Sequence, residues 1–257
     1  MRVDWPSRNQ GQPAERSLGS NNPQVRIATW NTKWATPGCK RGKEVVRAIA
    51  SLDADVIVLT EGRADLLPPD GFIVDAGSDW GYRVDDPDRR KVLMWSKNPW
   101  LNVVDRGSET MPSGRFVSGA TESPIGRITV AGVCVPWQGA HVTHGRRDRR
   151  PWQDHERYLR GLREVLQWVD GSRVIAGDFN QRIPRSRQPL DVAELLAETL
   201  EGYRIPTASF TDPQLIDHIA HSDDMFVAGM PTLIQNRLSG FELSDHIGVS
   251  VDLVRTR

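Results

Sequence analysis

Short runs of apolar residues, each followed by a polar side chain, recur along the chain from Val25 onward. Alternating residues over 25–30 predict a strand that delivers Asn31 to its end. Apolar residues at helical spacing then predict a helix over 42–52, and a second buried strand over 55–60 ends on Glu61. The order strand, helix, strand is typical of an α/β fold, and it places both polar residues at the same edge of a sheet.

The middle of the chain predicts further strands, separated by clusters of turn-forming residues. These strands are predicted over 72–76, 92–95, 101–104, 115–120 and 127–135. A polar loop follows them, and apolar residues at helical spacing then predict the best helix of the chain over 151–169. Another helix is predicted over 190–200, and the pattern closes with a strand that ends at Leu253.

The stretch 174–181 is the centre of the functional prediction. Small and apolar residues predict a buried strand, which Gly177 ends where the backbone must turn tightly. Asp178 and Asn180 then lie at the C-terminal edge of the strand, where α/β sheets bind ligands. A carboxylate and a carboxamide two residues apart can serve as a base and a positioning group. The alternative is an Asp/Asn loop turn, which such sequences form routinely, and this stretch alone does not decide between them.

The composition favours one large globular domain, or two small ones, with an ample core: 38% of the 257 residues are hydrophobic and 26% are charged. Because 33 basic residues balance 33 acidic ones, the composition argues against binding of nucleic acid through global electrostatics, although it allows a local basic groove. Cys39 and Cys134 form neither a disulfide framework nor a CxxC metal site. With no apolar run long enough to span a bilayer and no secretory signal, we expect a cytoplasmic protein.

Residues 1–24 are rich in Pro, Gly, Ser, Asn and Gln and contain almost nothing to bury, so we expect a flexible N-terminal segment. Residues 25–257 contain no internal repeat long enough for a solenoid and no linker that would divide them. We therefore expect a single folded domain over 25–257.

Each polar residue at the end of an apolar run has an ordinary structural explanation. Asn31 could cap a strand, Glu61 could be a surface charge, and Asp217 and Asp245 could cap turns. His246 could be an interior histidine whose hydrogen bonds are satisfied. However, a buried charge is costly unless it is paired or bound to a metal. Because such residues recur in the order Asn, Glu, Asp-x-Asn, Asp, Asp-His, the ordinary explanation must account for each of them separately.

Taken together, these motifs resemble the endonuclease/exonuclease/phosphatase superfamily, which shares the deoxyribonuclease-I-like fold. The matching stretches are Trp30-Asn31, Thr60-Glu61, Gly177-Asp178-Phe179-Asn180, Ile216-Asp217-His218-Ile219 and Ser244-Asp245-His246, with Val92–Lys97 resembling the mid-chain strand. The resemblance implies a four-layer α/β sandwich, in which two mixed β-sheets pack face to face with helices outside. It also implies hydrolysis of a phosphate ester with a divalent metal, normally magnesium, with manganese as the alternative.

The resemblance and the side-chain chemistry together suggest roles. The expected metal ligands are Glu61, Asn31 and Asp245. Magnesium keeps several waters, so one or two carboxylates suffice. Asp178 would orient or deprotonate the attacking water, and Asn180 would hold that water or a phosphate oxygen. His246 would contact the scissile phosphate, while Asp217 would fix the tautomer of its ring.

Three departures from the pattern matter. Some members carry an acid where this chain has Lys33, so a second metal ligand at that position is not expected. Many members place a Tyr or His where this chain has Cys134 or Trp137, so either the role is lost or His141 or His144 fills it from the following loop. The segment before Asp217 offers Leu215 rather than an aromatic residue, which weakens an abasic-site repair function.

The substrate is the least determined part of the prediction. The residues expected to contact substrate phosphate are Arg146, Arg149, Arg182 and His141. Such a cluster could follow a nucleic-acid backbone or clamp one phosphorylated small molecule. We favour a phosphodiesterase or nuclease acting on nucleic acid or a nucleotide over an enzyme acting on a phosphorylated lipid or sugar headgroup. The alternative of another class, a catalytically silent binding protein, is disfavoured because the whole polar set is present. The sequence does not indicate an oligomeric state.

Overall fold

Two β-sheets stack face to face over residues 22–167 and 171–256, the part of the chain that the computed structural model describes. In chain order the strands are β1 (Val25–Asn31), β2 (Val56–Arg63), β3 (Phe72–Asp75), β4 (Arg89–Ser96), β5 (Leu101–Val104), β6 (Phe116–Thr121), β7 (Ile128–Cys134), β8 (Arg173–Asp178), β9 (Tyr203–Arg204), β10 (Asp217–Ser222), β11 (Met225–Val227), β12 (Thr232–Ile234), β13 (Arg237–Leu238), β14 (Phe241–Glu242) and β15 (Gly248–Arg255). The α-helices are α1 (Lys40–Ala50), α2 (Gln153–Leu166) and α3 (Leu190–Thr199). None of the described helices is long and apolar enough to cross a membrane.

Both sheets are mixed. The first has the order β11-β15-β1-β2-β4-β3, with β12 also paired to β15, and the second has the order β5-β6-β7-β8-β10-β9. Each sheet contains one parallel pair, β1 with β2 and β7 with β8, and in each case a helix connects the two strands. This is the connection that parallel neighbours require, because a hairpin cannot join them. The remaining strands, β13 and β14, pair only with each other.

The buried apolar residues form three clusters, which the two sheets separate. One lies between the sheets and includes Ile27, Val58 and Met94 from the first sheet with Val130 and Ala176 from the second. Another packs α1 on the outer face of the first sheet, and the third packs α2 and α3 on the outer face of the second. Three cores between four layers confirm the predicted α/β sandwich of two mixed sheets with helices outside.

Several element boundaries differ from the prediction in ways that affect the polar residues. Strand β2 continues past Glu61 to Arg63, β4 begins early enough to include Lys91, and β8 includes Asp178 itself. The short strands β9, β12, β13 and β14 were not predicted, because two or three residues carry no readable periodicity. The predicted end of the long helix at Val169 and residues 1–21 of the expected flexible segment lie outside the described residues.

Candidate active site at the edge of the two sheets

Two carboxylates face each other at the ends of neighbouring strands. Strands β8 and β10 are antiparallel, and Asp178 and Asp217 are register partners. Gly177 precedes Asp178 with φ +144°, and a Cβ atom there would lie 1.9 Å from the carbonyl oxygen of Val133. Only glycine allows this close approach of the backbones. The tight turn that the sequence predicted at Gly177 is therefore a close contact between β8 and β7.

Asp178 is fixed by two asparagines. Its Oδ1 accepts a hydrogen bond from the backbone N–H of Asn180 at 2.9 Å, and its Oδ2 accepts from Asn180 Nδ2 at 3.0 Å and from Asn31 Nδ2 at 3.2 Å. Asn180 has φ +51° and also donates to the carbonyl of Val135. Burial raises the pKa of Asp178 to about 7, the charge of His246 opposes that rise, and the charges of Asp217 and Glu61 add to it. The carboxyl group is thus oriented, buried and poised near neutral pH.

His246, in the loop before β15, lies beside Asp178 and Asp217, and these three residues are called the cluster below. Its Nδ1 lies 3.1 Å from Oδ1 of Asp217, whose Oδ2 accepts a hydrogen bond from the backbone N–H of Asn31. Burial alone would lower the pKa of His246, but the carboxylates of Asp217 and Asp178 outweigh it and raise this pKa to about 10. The ring is therefore cationic at neutral pH: Nδ1–H donates to Asp217, and Nε2–H is the remaining donor.

The loop that carries His246 is tied to β1. Ser244 donates its hydroxyl to the carbonyl of Asn31 at 2.6 Å and accepts the backbone N–H of His246 at 3.1 Å. Trp30 donates its indole N–H to the carbonyl of His246 at 2.9 Å. These bonds set the position of the imidazole from both sides. The sequence motif Ser244-Asp245-His246 includes this serine, but sequence reasoning assigned it no role.

The ligand atoms of Asp178, Asp217 and His246 all lie within 4.8 Å of one another. This set could hold a metal ion. Its oxygens are, however, already committed to the hydrogen bonds of Asn31, Asn180 and the imidazole. The arrangement can also orient a water molecule between a carboxylate and a cation, which is the geometry of acid–base chemistry.

Glu61 lies in β2 with φ +46°, and its carbonyl accepts hydrogen bonds from Thr32 Oγ1 and the N–H of Trp34. Its Oε1 is 2.6 Å from Nζ of Lys91, whose side chain is only 12% exposed. Sequence reasoning missed Lys91, which directly precedes the apolar run of β4. The structure therefore brings the expected metal carboxylate to the site together with a neutralising ammonium.

Asp245 and Arg182 lie outside this cluster. The carboxylate of Asp245 is about half exposed and lies 3.5 Å from Nζ of Lys33, which also binds Glu242 at 3.1 Å. Arg182 is half-buried, and its carbonyl accepts the side-chain amide of Gln188. Within the described residues, no hydrogen bond joins the guanidinium of Arg182 to the cluster.

The loop between β7 and α2 is built around a buried aspartate rather than around the cluster. His141, only 1% exposed, places Nδ1 2.7 Å from Oδ2 of Asp154 and Nε2 3.0 Å from the carbonyl of Gly81. Arg149 donates Nε to Asp154 at 2.8 Å, and Arg146 lies 3.7 Å from the same carboxylate. The structure does not bring these three side chains to the cluster of Asp178, Asp217 and His246, because Asp154 engages them.

His144 has a different position in the same loop. It is exposed, and it lines a cavity of about 500 Å³ together with Lys91 and Trp137. Because Lys91 binds Glu61, this cavity adjoins the candidate metal position. Of the two histidines expected to replace the strand-end Tyr or His, His144 lines this cavity, whereas His141 is buried against Asp154.

Comparison with known proteins agrees with this geometry. A sequence profile described as the Endonuclease/Exonuclease/phosphatase family matches residues 28–246, which confirms the resemblance seen in the motifs. No curated protein sequence matches the chain.

Solved structures with this architecture come from several organisms. An endonuclease/exonuclease/phosphatase from Beutenbergia cavernae is 19% identical, with a TM-score of 0.61 over 91% of this chain and 72% of that one. One from Bacteroides vulgatus is 15% identical, with a TM-score of 0.63 over 91% and 99% of the two chains. The human Nocturnin catalytic domain with bound sulfate anion is 15% identical, with a TM-score of 0.61 over 92% and 96%. At these identities the likeness establishes the fold.

Proposed function

Because this chain belongs to the Endonuclease/Exonuclease/phosphatase family, we propose that it is a metal-dependent phosphodiesterase that cleaves a nucleic acid or nucleotide by attack of a water molecule. The observation that carries the proposal is the convergence of Asp178, Asp217 and His246 within 4.8 Å, at the edge where Asn31 and Glu61 also lie. A structural turn would need none of these side chains to meet. Hydrolysis of a phosphate ester can use each of them, as a base, as a cation at the phosphate, or as a ligand of a metal ion.

Asp178 is the proposed base. Its pKa of about 7 allows it to accept a proton from water near neutral pH, and its three hydrogen bonds hold both oxygens in place. A base tuned in this way contributes roughly 100- to 10,000-fold to a rate. Asn180 and Asn31 are positioning residues for it, and Asn180 would also hold the water or a phosphate oxygen.

His246 is the proposed phosphate-binding cation. Its Nδ1–H donates to Asp217, so Nε2–H is the group left to contact an oxygen of the scissile phosphate. Placing a fixed positive charge where negative charge develops stabilises the transition state. Asp217 would act through the ring, by holding its orientation and keeping it charged.

The residues also fit a magnesium ion, which prefers oxygen ligands and keeps several waters. Glu61 attracts an ammonium to 2.6 Å, so its carboxylate already occupies a position suited to a cation. We assign Glu61 and Asn31 as ligands and Asp245 as a support for the waters of the ion. When bound, the ion would supply positive charge against the phosphate oxygens. Manganese suits the same oxygen donors.

His144 and the arginines complete the proposal on the substrate side. His144 lines the cavity beside Lys91 and would contact a phosphate oxygen or the leaving group. Positive charge near the site would come from two arginines of the neighbouring loops. Arg182 follows Asn180 by two residues, and the side chain of Arg146 is 45% exposed. His141 and Arg149 would act by holding the loop, because Asp154 occupies their polar atoms.

The test is a substrate panel measured with the full chain and magnesium. The panel contains bis-(p-nitrophenyl) phosphate, plasmid DNA, RNA, p-nitrophenyl phosphate, and a phosphorylated lipid and sugar. We expect turnover of the diesters and of a nucleic acid, loss of that turnover with a chelator, and its loss in Asp178→Asn but not in the exposed control Asp88→Asn. Preferential release of phosphate from the lipid or sugar ester would select the headgroup alternative. No turnover of any ester would leave a silent binding protein.

A further inference from the structure

A cavity of about 500 Å³ adjoins the candidate metal position, and aromatic and cationic side chains line it. The aromatic residues include Trp34, Trp80 and Trp137, and the cationic ones include Arg89, Lys91 and Arg115. Two acids, Asp85 and Asp86, also line the cavity, and they pair with Arg83 and Arg63. The proposed reaction requires none of the three tryptophans. Their concentration beside the site therefore needs its own explanation.

Two of the tryptophans already have partners. Trp34 and Trp80 stack with ring centroids 5.5 Å apart and an interplanar angle of 16°. The guanidinium of Arg89 and the ammonium of Lys91 lie 5.2 and 5.0 Å from the Trp34 ring centroid. Because Trp80, Arg89 and Lys91 all pack against the Trp34 ring, they restrict its motion, and together these side chains form a rigid wall of the cavity.

Trp137 differs from that wall because its side chain lines the cavity and remains 45% exposed. It lies over Gly139, where an added Cβ atom would be 2.3 Å from the indole ring. A large exposed aromatic ring, held from beneath and facing a cavity, is the usual form of a stacking platform for a flat ligand.

Arg115 supplies the second observation. It is 2% exposed, yet within the described residues no carboxylate pairs with it and its Nε has no hydrogen-bond partner. Within the described residues, the only hydrogen bonds of its side chain are long ones, from Nη1 to the carbonyl oxygen and the sulfur of Cys134. A buried guanidinium without a counter-charge is costly, and an anionic ligand in the cavity would relieve that cost.

We propose that the cavity binds the nucleobase of a phosphate-ester substrate, with the base stacked on Trp137 and an anionic oxygen near Arg115. This inference rests on the proposed function, because the scissile phosphate must lie at the adjoining cluster. A sugar phosphate offers no planar ring for Trp137, whereas every base does. A choline-type headgroup could lie on an aromatic ring, but its positive charge would meet Arg89, Lys91 and Arg115 in the same lining. The volume is within the range of pockets that enclose one small ligand. Trp137 is then the residue that determines specificity.

Binding can be measured without turnover. Calorimetric titration of the full chain in a chelator would compare AMP, ribose 5-phosphate and inorganic phosphate. We expect AMP to bind more tightly than ribose 5-phosphate. Trp137→Ala should lower the AMP affinity roughly 5- to 150-fold, the value of one base stack, and leave ribose 5-phosphate unchanged. Trp137→Phe should retain most of the affinity, and Phe72→Ala, which removes an exposed aromatic residue outside the cavity, should change nothing.

Equal affinities for AMP and ribose 5-phosphate would overturn the inference, and so would unchanged AMP binding in a Trp137→Ala variant that melts like the parent. A short single-stranded oligonucleotide in the same titration identifies the source of the base. If the oligonucleotide binds more tightly than AMP and depends on Trp137, the substrate is a strand; the reverse order indicates a free nucleotide.

Failure of the base-binding inference can be distinguished from failure of the proposed function. A chain that binds AMP through Trp137 but hydrolyses no ester keeps the base site and loses the proposed reaction. A chain that hydrolyses diesters without any dependence on Trp137 loses only this inference.

Discussion

Nζ of Lys91 lies 2.6 Å from Oε1 of Glu61, and both side chains are largely shielded from solvent. The carboxylate expected to bind a metal ion thus already forms an ion pair with a lysine of the same chain. For Glu61 to become a ligand, this ion pair must open or share the carboxylate. The pair also links the cluster of Asp178, Asp217 and His246, where the charge of Glu61 acts on Asp178, to the tryptophan-lined cavity, which Lys91 lines.

Removing the ammonium should therefore strengthen metal binding. We expect Lys91→Gln to raise the affinity for Mn²⁺ on the order of tenfold, because close charges near a protein surface interact by a few kcal/mol before solvation is subtracted. Titration of the full chain without substrate, followed by electron paramagnetic resonance, measures this directly. Lys97→Gln, which removes a lysine paired to Asp53 and Asp55, is the matched control. An affinity unchanged in Lys91→Gln would mean that the ion binds elsewhere.

Removing the carboxylate should have the opposite effect. Glu61→Gln keeps the shape but loses the anionic ligand, so diesterase activity should fall steeply while the thermal unfolding midpoint stays close to that of the parent. Excess magnesium should restore part of the activity. Glu242→Gln neutralises a more exposed acid and should leave turnover unchanged. Full turnover in Glu61→Gln would remove this residue from the site.

The variant Asp178→Asn distinguishes a role of Asp178 as general base from a role as a structural turn residue. The variant should lose roughly 100- to 10,000-fold in kcat, the usual contribution of general-base catalysis, while KM and the unfolding midpoint change little. Steady-state kinetics and thermal melts measure both properties. If substrate binding and stability are lost together, Asp178 is a structural turn residue.

The loop before α2 should show two kinds of effect. His144→Ala should lower kcat, because this exposed side chain lines the cavity. Arg149→Ala should instead lower stability by about 1–3 kcal/mol, since it removes a charged hydrogen bond to buried Asp154. Kinetics and urea unfolding of the two variants distinguish these effects. If the loop has no function, His144→Ala should have the kcat of the parent. If Arg149→Ala raises KM without loss of stability, Arg149 contacts the substrate instead of stabilising the loop.

His155 makes stability depend on pH. Its Nδ1–H donates to the carbonyl of Pro136, its Nε2 accepts from the amide of Gln181, and burial lowers the pKa of the ring to about 4. Below the unfolded pKa of about 6.5, the unfolded chain binds a proton that the folded chain excludes, so stability falls as pH drops from 6.5 toward 4.

This histidine should cost about 2 kcal/mol of stability between pH 7.5 and 5. His218, whose pKa burial also lowers to about 4, should contribute a similar loss. Urea unfolding at both pH values should give His155→Asn a shallower pH dependence than the parent, while His144→Ala keeps the parental slope. Equal slopes in all three proteins would show that folding does not lower the pKa of His155.

Periodicity in the sequence was enough to predict most of the longer strands and helices and the polar residues that follow them, whereas the four layers were predicted from the resemblance of the motifs to a family. Ile27 and Val58 alternate with neighbours on the opposite face, and Asn31, Asp178 and Asp217 end apolar runs. Lys91 could not be found in this way, because its role depends on which strand lies beside β2. The same limit applies to His141, whose polar sequence context conceals a buried contact with Asp154. Long-range pairing decides both cases, and local patterns do not record it.

Asn31 donates to Asp178 across the interface between the sheets, and its own N–H is held by Asp217. Its strand pairs with β15, which begins two residues after His246. The proposed site is consequently complete only late in folding, because the pairing of β15 with β1 is what places His246 beside Asp217. If the proposed activity is found, we expect it to depend on that pairing, so that hydrolysis would report closure of the whole sandwich.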